Sequence, residues 1–76
     1  MEMHKTKDIY EASALLAYNL KLVKLELEHN FYWFVFENND VSRKTADKYW
    51  RGDLSVNAKQ YADSIRTLKD ISFARR

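Results

Sequence analysis

Residues 31 to 36 read Phe31-Tyr32-Trp33-Phe34-Val35-Phe36, six apolar side chains in succession, of which five are aromatic. The whole chain has 76 residues and eleven aromatic side chains, so nearly half of its aromatic content is concentrated in this run. Burying one large aromatic side chain contributes about 2–3 kcal/mol to folding. Other parts of the chain, or a partner, must therefore cover this run.

The segment before this run alternates between apolar and charged residues, which is the period of a strand with one buried face. From Leu20 it reads Leu-Lys-Leu-Val-Lys-Leu-Glu-Leu-Glu, and only His29-Asn30 separates it from the aromatic run. The pattern predicts an antiparallel hairpin with strands over about 20–28 and 31–37, joined by a two-residue or a wider four-residue loop. Both loops give the same register. One face then pairs Leu27 with Tyr32, Leu25 with Phe34 and Val23 with Phe36, and the other pairs Glu28 with Phe31, Glu26 with Trp33 and Lys24 with Val35.

The two faces of this hairpin differ in character. The first is wholly apolar and is expected in the core, with Tyr32, Phe34 and Phe36, whereas the second mixes apolar with charged side chains. The Leu22-Val23 pair breaks the alternation, which favours either a β-bulge or burial of both faces at that point.

Three helices are predicted on the remaining sequence, over about 9–18, 41–51 and 58–73. Asp8 and Asn57 are the expected N-caps of the first and last helices, and Asn19 and Gly52 are expected to end the first and second. In the first helix Glu11 and Ser13 should point outward, and in the second Val41, Thr45, Tyr49 and Trp50 should face the core. The prediction is a single α+β domain over residues 1–76, in the order helix, strand, strand, helix, helix, with the hairpin packed on the helices.

Composition favours a packed cytosolic protein. Hydrophobic residues make up 46% and charged residues 32% of the chain, which is typical of globular proteins, and no cysteine is present to form a disulfide or a thiolate metal site. No segment has the length of a signal peptide's apolar region or of a membrane helix. We therefore expect a cytoplasmic location and no membrane contact.

The sequence offers little support for catalysis. The two histidines are His4, expected in a frayed terminus, and His29, expected in a turn, so neither is placed beside a nucleophile. The single glycine excludes a glycine-rich phosphate loop. We expect no enzyme activity, no catalytic or metal-binding residue, no cofactor and no small-molecule substrate.

Nucleic-acid binding is a possible function of the basic half of the chain. Residues 1–40 carry a formal charge of −3 and residues 41–76 a charge of +5. Three basic side chains recur at helical spacing on the second predicted helix, which is also what a solvated surface helix shows. The candidate residues are Arg43, Lys44, Lys48 and Arg51, together with Arg75 and Arg76 at the end of the chain.

Several segments resemble one known family. They are Thr6-Lys7-Asp8-Ile9-Tyr10-Glu11-Ala12-Ser13, Trp33-Phe34-Val35-Phe36-Glu37, Val56-Asn57-Ala58 and Leu68-Lys69-Asp70. The chain resembles, over nearly its whole length, a family of short prokaryotic and phage proteins catalogued as a domain of unknown function. The resemblance implies one compact domain and a bacterial, archaeal or phage source, and it assigns a role to no residue.

The favoured hypothesis is a small non-enzymatic interaction protein. A two-stranded hairpin would expose the apolar second strand as an edge, and pairing with a second copy would extend the sheet and cover Phe31, Trp33 and Val35. A protein partner could cover the same three residues, and so could the second helix through Tyr49 and Trp50. We therefore expect a homodimer or a protein partner on this face, with nucleic-acid binding as the alternative function.

Overall fold

The computed structural model describes residues 3–37 and 39–74. It confirms the predicted α+β class and the predicted succession of helix, two strands and two helices, and it adds a short strand before the first helix. The bounds of the predicted elements differ from the observed ones by one or two residues. The elements are β1 (His4–Thr6), α1 (Ile9–Ala17), β2 (Leu22–Glu28), β3 (Phe31–Phe36), α2 (Asn39–Arg51) and α3 (Ala58–Ala74).

The three strands form an antiparallel sheet in the order β1-β3-β2. His4, Lys5 and Thr6 lie opposite Phe36, Val35 and Phe34, respectively. The aromatic strand is therefore the middle strand, and the prediction that it forms an edge of a two-stranded sheet is wrong. So is the prediction of a frayed His4. A three-residue strand such as His-Lys-Thr is too short to show an alternating pattern, and only its pairing with β3 defines it.

The predicted hairpin register is confirmed at five of its six pairs, from Glu28 opposite Phe31 to Lys24 opposite Val35. The sixth is wrong, because Leu22 lies opposite Phe36 and the register shifts between Leu22 and Lys24. The shift places a β-bulge at Val23. The side chain of Val23 therefore points away from the core and is exposed. The turn has two residues, and His29 takes the positive φ of 54° that a primed hairpin turn requires at its first position.

All three helices contribute to the core on one face of the sheet. α1 packs against both α2 and α3. Phe34 and Phe36 are fully buried there, as predicted, whereas Tyr32 is only half-buried. The buried cluster consists of Ala12, Leu15, Phe34, Phe36, Ala46 and Leu68.

Helix α1 is buried around most of its circumference. Glu11 and Ser13, which were predicted to point outward, are both buried. A single apolar stripe describes a helix with one packed side, but α1 has α2 and α3 on two sides and the sheet on another. The hydroxyl of Ser13 donates to the carbonyl of Ile9 at 2.7 Å, which satisfies this buried polar group within the helix.

Helix α2 presents a different face to the core from the predicted one. Thr45 is buried as predicted and Tyr49 is half-buried, but Val41 and Trp50 are exposed, and Ala46 takes part in the core instead. Small residues at the contact allow the helices to approach closely. Because Ala46 packs with the cluster of Phe34 and Phe36, α2 lies on the core side of the sheet, which removes the alternative that the second helix covers the other side.

The predicted helix ends are confirmed. The Asp8 carboxylate accepts from the backbone N–H groups of Tyr10 and Glu11, and the Asn57 side chain accepts from the N–H of Gln60 at 3.0 Å. Asn19, which follows the C-cap Tyr18 of α1, has a φ of 69°, and Gly52, directly after α2, has a φ of 78°. The cap at Asp8 fixes where the chain leaves β1 and enters α1.

Candidate functional site

The open face is the side of the sheet that points away from the helices. Alternation along each strand places Val35 on this face, opposite the face of the buried Phe34 and Phe36. Val35 was predicted as a contact residue, but it is only 1% exposed and offers no surface to a partner. The open face consists of Lys5 and Lys7, of Lys24, Glu26 and Glu28, and of Phe31, Trp33 and Val35.

A network of ion pairs crosses the middle strand beside Val35. Lys5 on β1 contacts one oxygen of Glu26 at 2.9 Å, and Lys24 contacts the other oxygen at 3.0 Å. Lys5 and Lys24 both lie opposite Val35, so their aliphatic stems flank it from the two sides. Hydrogen bonds from the two lysines hold the pKa of the Glu26 carboxyl below its ordinary value, and the bond from Lys5 contributes more than the bond from Lys24. The network joins the two outer strands and covers the apolar side chain between them.

The other two predicted contact residues, Phe31 and Trp33, form an aromatic pair on the open face. Their ring centroids are 5.5 Å apart with an interplanar angle of 69°, an edge-to-face arrangement. The Trp33 indole donates to Glu28 at 3.1 Å, and the Lys7 ammonium lies 5.1 Å from the centre of the Phe31 ring. Both rings are half-buried. The structure thus brings together two of the three predicted residues as an accessible pair.

An open groove adjoins this pair on the other side of Phe31. It has a volume of about 610 Å³ and lies where the hairpin tip, the start of α1 and the last turn of α3 meet. Sequence reasoning missed this groove. Its walls come from three separated segments, and no local pattern marks their meeting point.

The predicted basic residues on α2 are all exposed. Lys44, Lys48 and Arg51 share the outward side of the helix, and Arg43 is adjacent. Arg51 contacts Asp53 at 3.3 Å, whereas Arg43, Lys44 and Lys48 make no ion pair within residues 3–37 and 39–74. The helical period also places Asp40 and Asp47 on this outward side. Arg75 and Arg76 lie outside the described residues.

A buried carboxylate links β1, α1 and α2. Glu11 is 7% exposed, and its two oxygens accept separate hydrogen bonds. His4 Nε2 lies 2.8 Å from Oε2, and the Trp50 indole donates to Oε1 at 2.7 Å. No sequence signal connects these three residues, because they are distant along the chain. Since both oxygens are occupied by structural contacts, the pair of His4 and Glu11 stabilises the packing of three elements.

Next to this cluster, Tyr49 has a perturbed phenol. Its ring contacts Trp50 edge-to-face with centroids 5.0 Å apart. Burial raises the pKa of Tyr49 from 10.0 to about 12, with further contributions from the hydrogen bond with Tyr61 and the nearby charges of Asp8 and Glu11. The neutral phenol is therefore the form that the folded protein favours.

The described part of the chain holds no group of three or more His, Cys, Asp or Glu side chains arranged to bind a metal ion. None of its helices is long and apolar enough to cross a membrane.

Comparison with known protein families shows to which family the chain belongs. The model of a domain of unknown function, DUF5659, matches residues 1–74. The chain belongs to the DUF5659 family. The predicted resemblance to a family of unknown function is confirmed, whereas the prokaryotic or phage source stays a prediction. Neither the curated proteins nor the solved structures include a match to this chain.

Two of the four segments on which the resemblance was based have clear structural roles in this DUF5659 chain. The first contains the N-cap Asp8 and the buried Glu11, and its Thr6 hydroxyl accepts from the Asp8 N–H at 3.1 Å. Another contains the N-cap Asn57. These two segments serve folding, whereas the segment from Trp33 to Glu37 contributes Trp33 and Val35 to the open face.

Replacement of the buried carboxylate should destabilise this DUF5659 protein. Glu11→Gln replaces the charged acceptor of two hydrogen bonds by a neutral amide with a single acceptor oxygen, so we expect a loss of about 1–3 kcal/mol of unfolding free energy. Urea unfolding followed by circular dichroism measures it. Glu37→Gln, at an exposed position, is the matched control and should change stability little. Equal stabilities of the two variants would contradict the role assigned to Glu11.

Alkaline pH should destabilise the protein through Tyr49. The raised pKa means that the stabilising contribution of the neutral phenol is complete below about pH 10 and is lost as the pH rises toward 12. When the ultraviolet absorbance titration curve of Tyr49→Phe is subtracted from that of the wild type, the difference should show one phenol that titrates with a midpoint of about 12. Tyr61→Phe should lower that midpoint. A difference curve centred on the ordinary value of 10.0 would contradict the assignment.

Proposed function

We propose that this protein acts by binding rather than by catalysis, and that the open face is the contact for a second copy of the chain or for a protein partner. The observation that carries the proposal is the half-buried edge-to-face pair of Phe31 and Trp33 on the side of the sheet away from the helices. Aromatic side chains at the centre of a contact dominate binding in many protein interfaces.

The surroundings of the pair support an interface. Charged side chains of β1 and β2 surround the two rings, which matches the usual arrangement of an apolar centre and a polar rim. The indole N–H of Trp33 already donates to Glu28, so a partner can cover the ring without leaving a buried donor unpaired.

Charge favours a second copy as the partner. The rim carries both signs, with Lys5, Lys7 and Lys24 against Glu26 and Glu28. A two-fold axis presents the same patch to itself, so a rim of mixed sign can place opposite charges across the interface. A rim of one sign would repel its copy.

The proposal includes a cytosolic setting, because the chain has no cysteine and secreted domains of this size usually depend on disulfides. We propose a prokaryotic or phage source because the chain resembles a family of such proteins. Catalysis receives no support from the pair of His4 and Glu11, whose contacts are those of a buried structural link.

Truncation of Trp33 should weaken self-association. Sedimentation velocity over a wide concentration range should show a mass that rises with concentration for the wild type. Trp33→Ser should weaken dimerisation at least about tenfold, since central aromatic residues are the most costly to truncate. The Trp33 emission, obtained as the wild-type spectrum minus that of Trp33→Phe, should shift to shorter wavelength as the dimer forms, because the indole loses its contact with water.

Phe73→Ser is the matched control for this experiment. Phe73 is 76% exposed on the outer side of α3, so its truncation removes an exposed aromatic ring elsewhere on the surface. It should leave dimerisation unchanged. A wild type that stays monomeric at the highest concentration, or equal weakening by the two variants, would refute self-association through the open face.

Nucleic-acid binding is the second candidate function. It is favoured by Arg43, Lys44 and Lys48, which are exposed and make no ion pair within the described residues. It is opposed by Asp40 and Asp47, which share the outward side of the same helix and repel phosphate. Two negative charges among four positive ones leave a net charge of +2 on α2. We therefore place this function after protein binding.

A salt series tests the nucleic-acid candidate. If α2 binds phosphates, labelled duplex or single-stranded DNA or RNA should bind at low salt, and the triple variant Lys44→Ala, Lys48→Ala, Arg51→Ala should bind more weakly with a shallower dependence on salt. The control variant Lys59→Ala removes one exposed lysine from α3 and should have little effect. Absence of binding at low salt, or an unchanged affinity of the triple variant, would exclude this function.

A further inference from the structure

The groove beside Phe31 has the dimensions and lining of a small-molecule site. Its volume of about 610 Å³ falls within the range of about 300–1,000 Å³ that is typical of ligand pockets. Such pockets are mostly apolar, with a few polar groups that orient the ligand. The same combination is found here, with apolar side chains from Ile9, Leu27, Phe31 and Phe34 and polar ones from Lys7 and Ser72.

The path of the chain creates the groove. β1 ends at Thr6 opposite Phe34, and the chain then turns through Lys7 into α1, so β1 does not extend along the first half of β3. The last turn of α3 closes the other side at Ser72. Phe34 is buried at the base, whereas Leu27 is 64% exposed at the rim.

The charge at the rim selects an anion. Lys7 is the charged residue in the lining, and its ammonium is held near the Phe31 ring at 5.1 Å. It makes no ion pair within residues 3–37 and 39–74. The neighbouring carboxylate of Asp8 caps α1 by accepting from two backbone N–H groups, so it is already engaged in a structural contact. An apolar ligand that carries one negative charge would therefore complement both the walls and the rim.

The hydroxyl of Ser72 is a second polar group at the groove. Its Oγ is buried and has no hydrogen-bond partner among the described residues. Other buried helical hydroxyls behave differently, since those of Ser13, Thr45 and Ser64 each donate to the carbonyl four residues earlier. A change of the Ser72 side-chain rotamer toward the groove would provide a donor for a ligand oxygen.

We propose that the groove binds a small amphipathic carboxylate, with its aliphatic or aromatic body against Ile9, Phe31 and Phe34 and its carboxylate at Lys7 and Ser72. This site adjoins the open-face contact and shares with it the side chains of Phe31 and Lys7. Its ligand chemistry follows from the apolar lining and the single rim cation. The protein would then be a binding protein for a small molecule as well as for a partner chain.

Decanoate below its micellar concentration is the probe. In a titration followed by ¹H–¹⁵N correlation spectra, we expect saturable shifts of one-to-one stoichiometry at the groove residues. Lys7→Gln should weaken decanoate binding roughly fivefold, which is the scale of an exposed charge pair. The uncharged 1-decanol should bind to the wild type more weakly than decanoate does. Its affinity should be the same for the wild type and for Lys7→Gln, so the comparison isolates the charge interaction.

Matched variants separate this site from others. Lys44→Gln removes an exposed lysine on α2 and should leave decanoate binding unchanged. Leu27→Ser should weaken the binding of both probes because it removes the apolar rim, and its exposed position makes misfolding no concern. Ser72→Ala should weaken decanoate more than 1-decanol.

Several outcomes would overturn the proposal. They are equal binding of decanoate and 1-decanol, an unchanged affinity in Lys7→Gln, more than one decanoate per chain, and shifts outside the groove. Protection of the groove residues as protein concentration rises, with no decanoate binding, would assign the groove to a second copy instead. Because Trp33 packs on Phe31, Trp33→Ser is scored by the ratio of decanoate to 1-decanol affinity, which should stay at the wild-type value because Lys7 is unchanged, so the groove and the open-face contact can fail independently.

Discussion

Glu11 directs its two carboxylate oxygens toward two different elements, and the architecture depends on this arrangement. His4 holds β1 to one oxygen, and Trp50 holds α2 to the other. A carboxylate this deeply buried is costly unless both oxygens are hydrogen-bonded, so the three elements are constrained together. With β1 in place, β3 becomes a central strand with partners on both sides. The open face and the groove both take their shape from that placement.

The sequence predicted the features that local chemistry controls. The hairpin register followed from alternation, because a slip by one residue would exchange the two faces, and the helix ends followed from Asp8, Asn19, Gly52 and Asn57. The sequence did not predict β1, the burial of Glu11 or the exposure of Trp50. Each of these depends on contacts between distant segments, and a short or polar segment shows no periodicity that reveals such contacts.

The candidate sites likewise include features that the sequence predicted and features that it did not. Phe31 and Trp33 were identified from their alternation with charged residues, and they are accessible on the predicted face. Val35 has the same position in that pattern but is covered by the network of Lys5, Lys24 and Glu26, of which Lys5 comes from the unpredicted strand. The groove arises from the end of β1, the hairpin tip and the end of α3, and only the folded chain brings them together.

The bulge at Val23 has a consequence for how copies of this protein can assemble. A regular outer strand offers a row of backbone groups to another sheet, and assemblies built on such edges can grow without limit. The bulge interrupts β2, and β1 occupies part of the opposite edge. Contact through the open face would instead stack two sheets at a spacing of about 10 Å. Such stacking would use up the surface that forms it, so an assembly of this kind would close at two chains and would not propagate into a fibre.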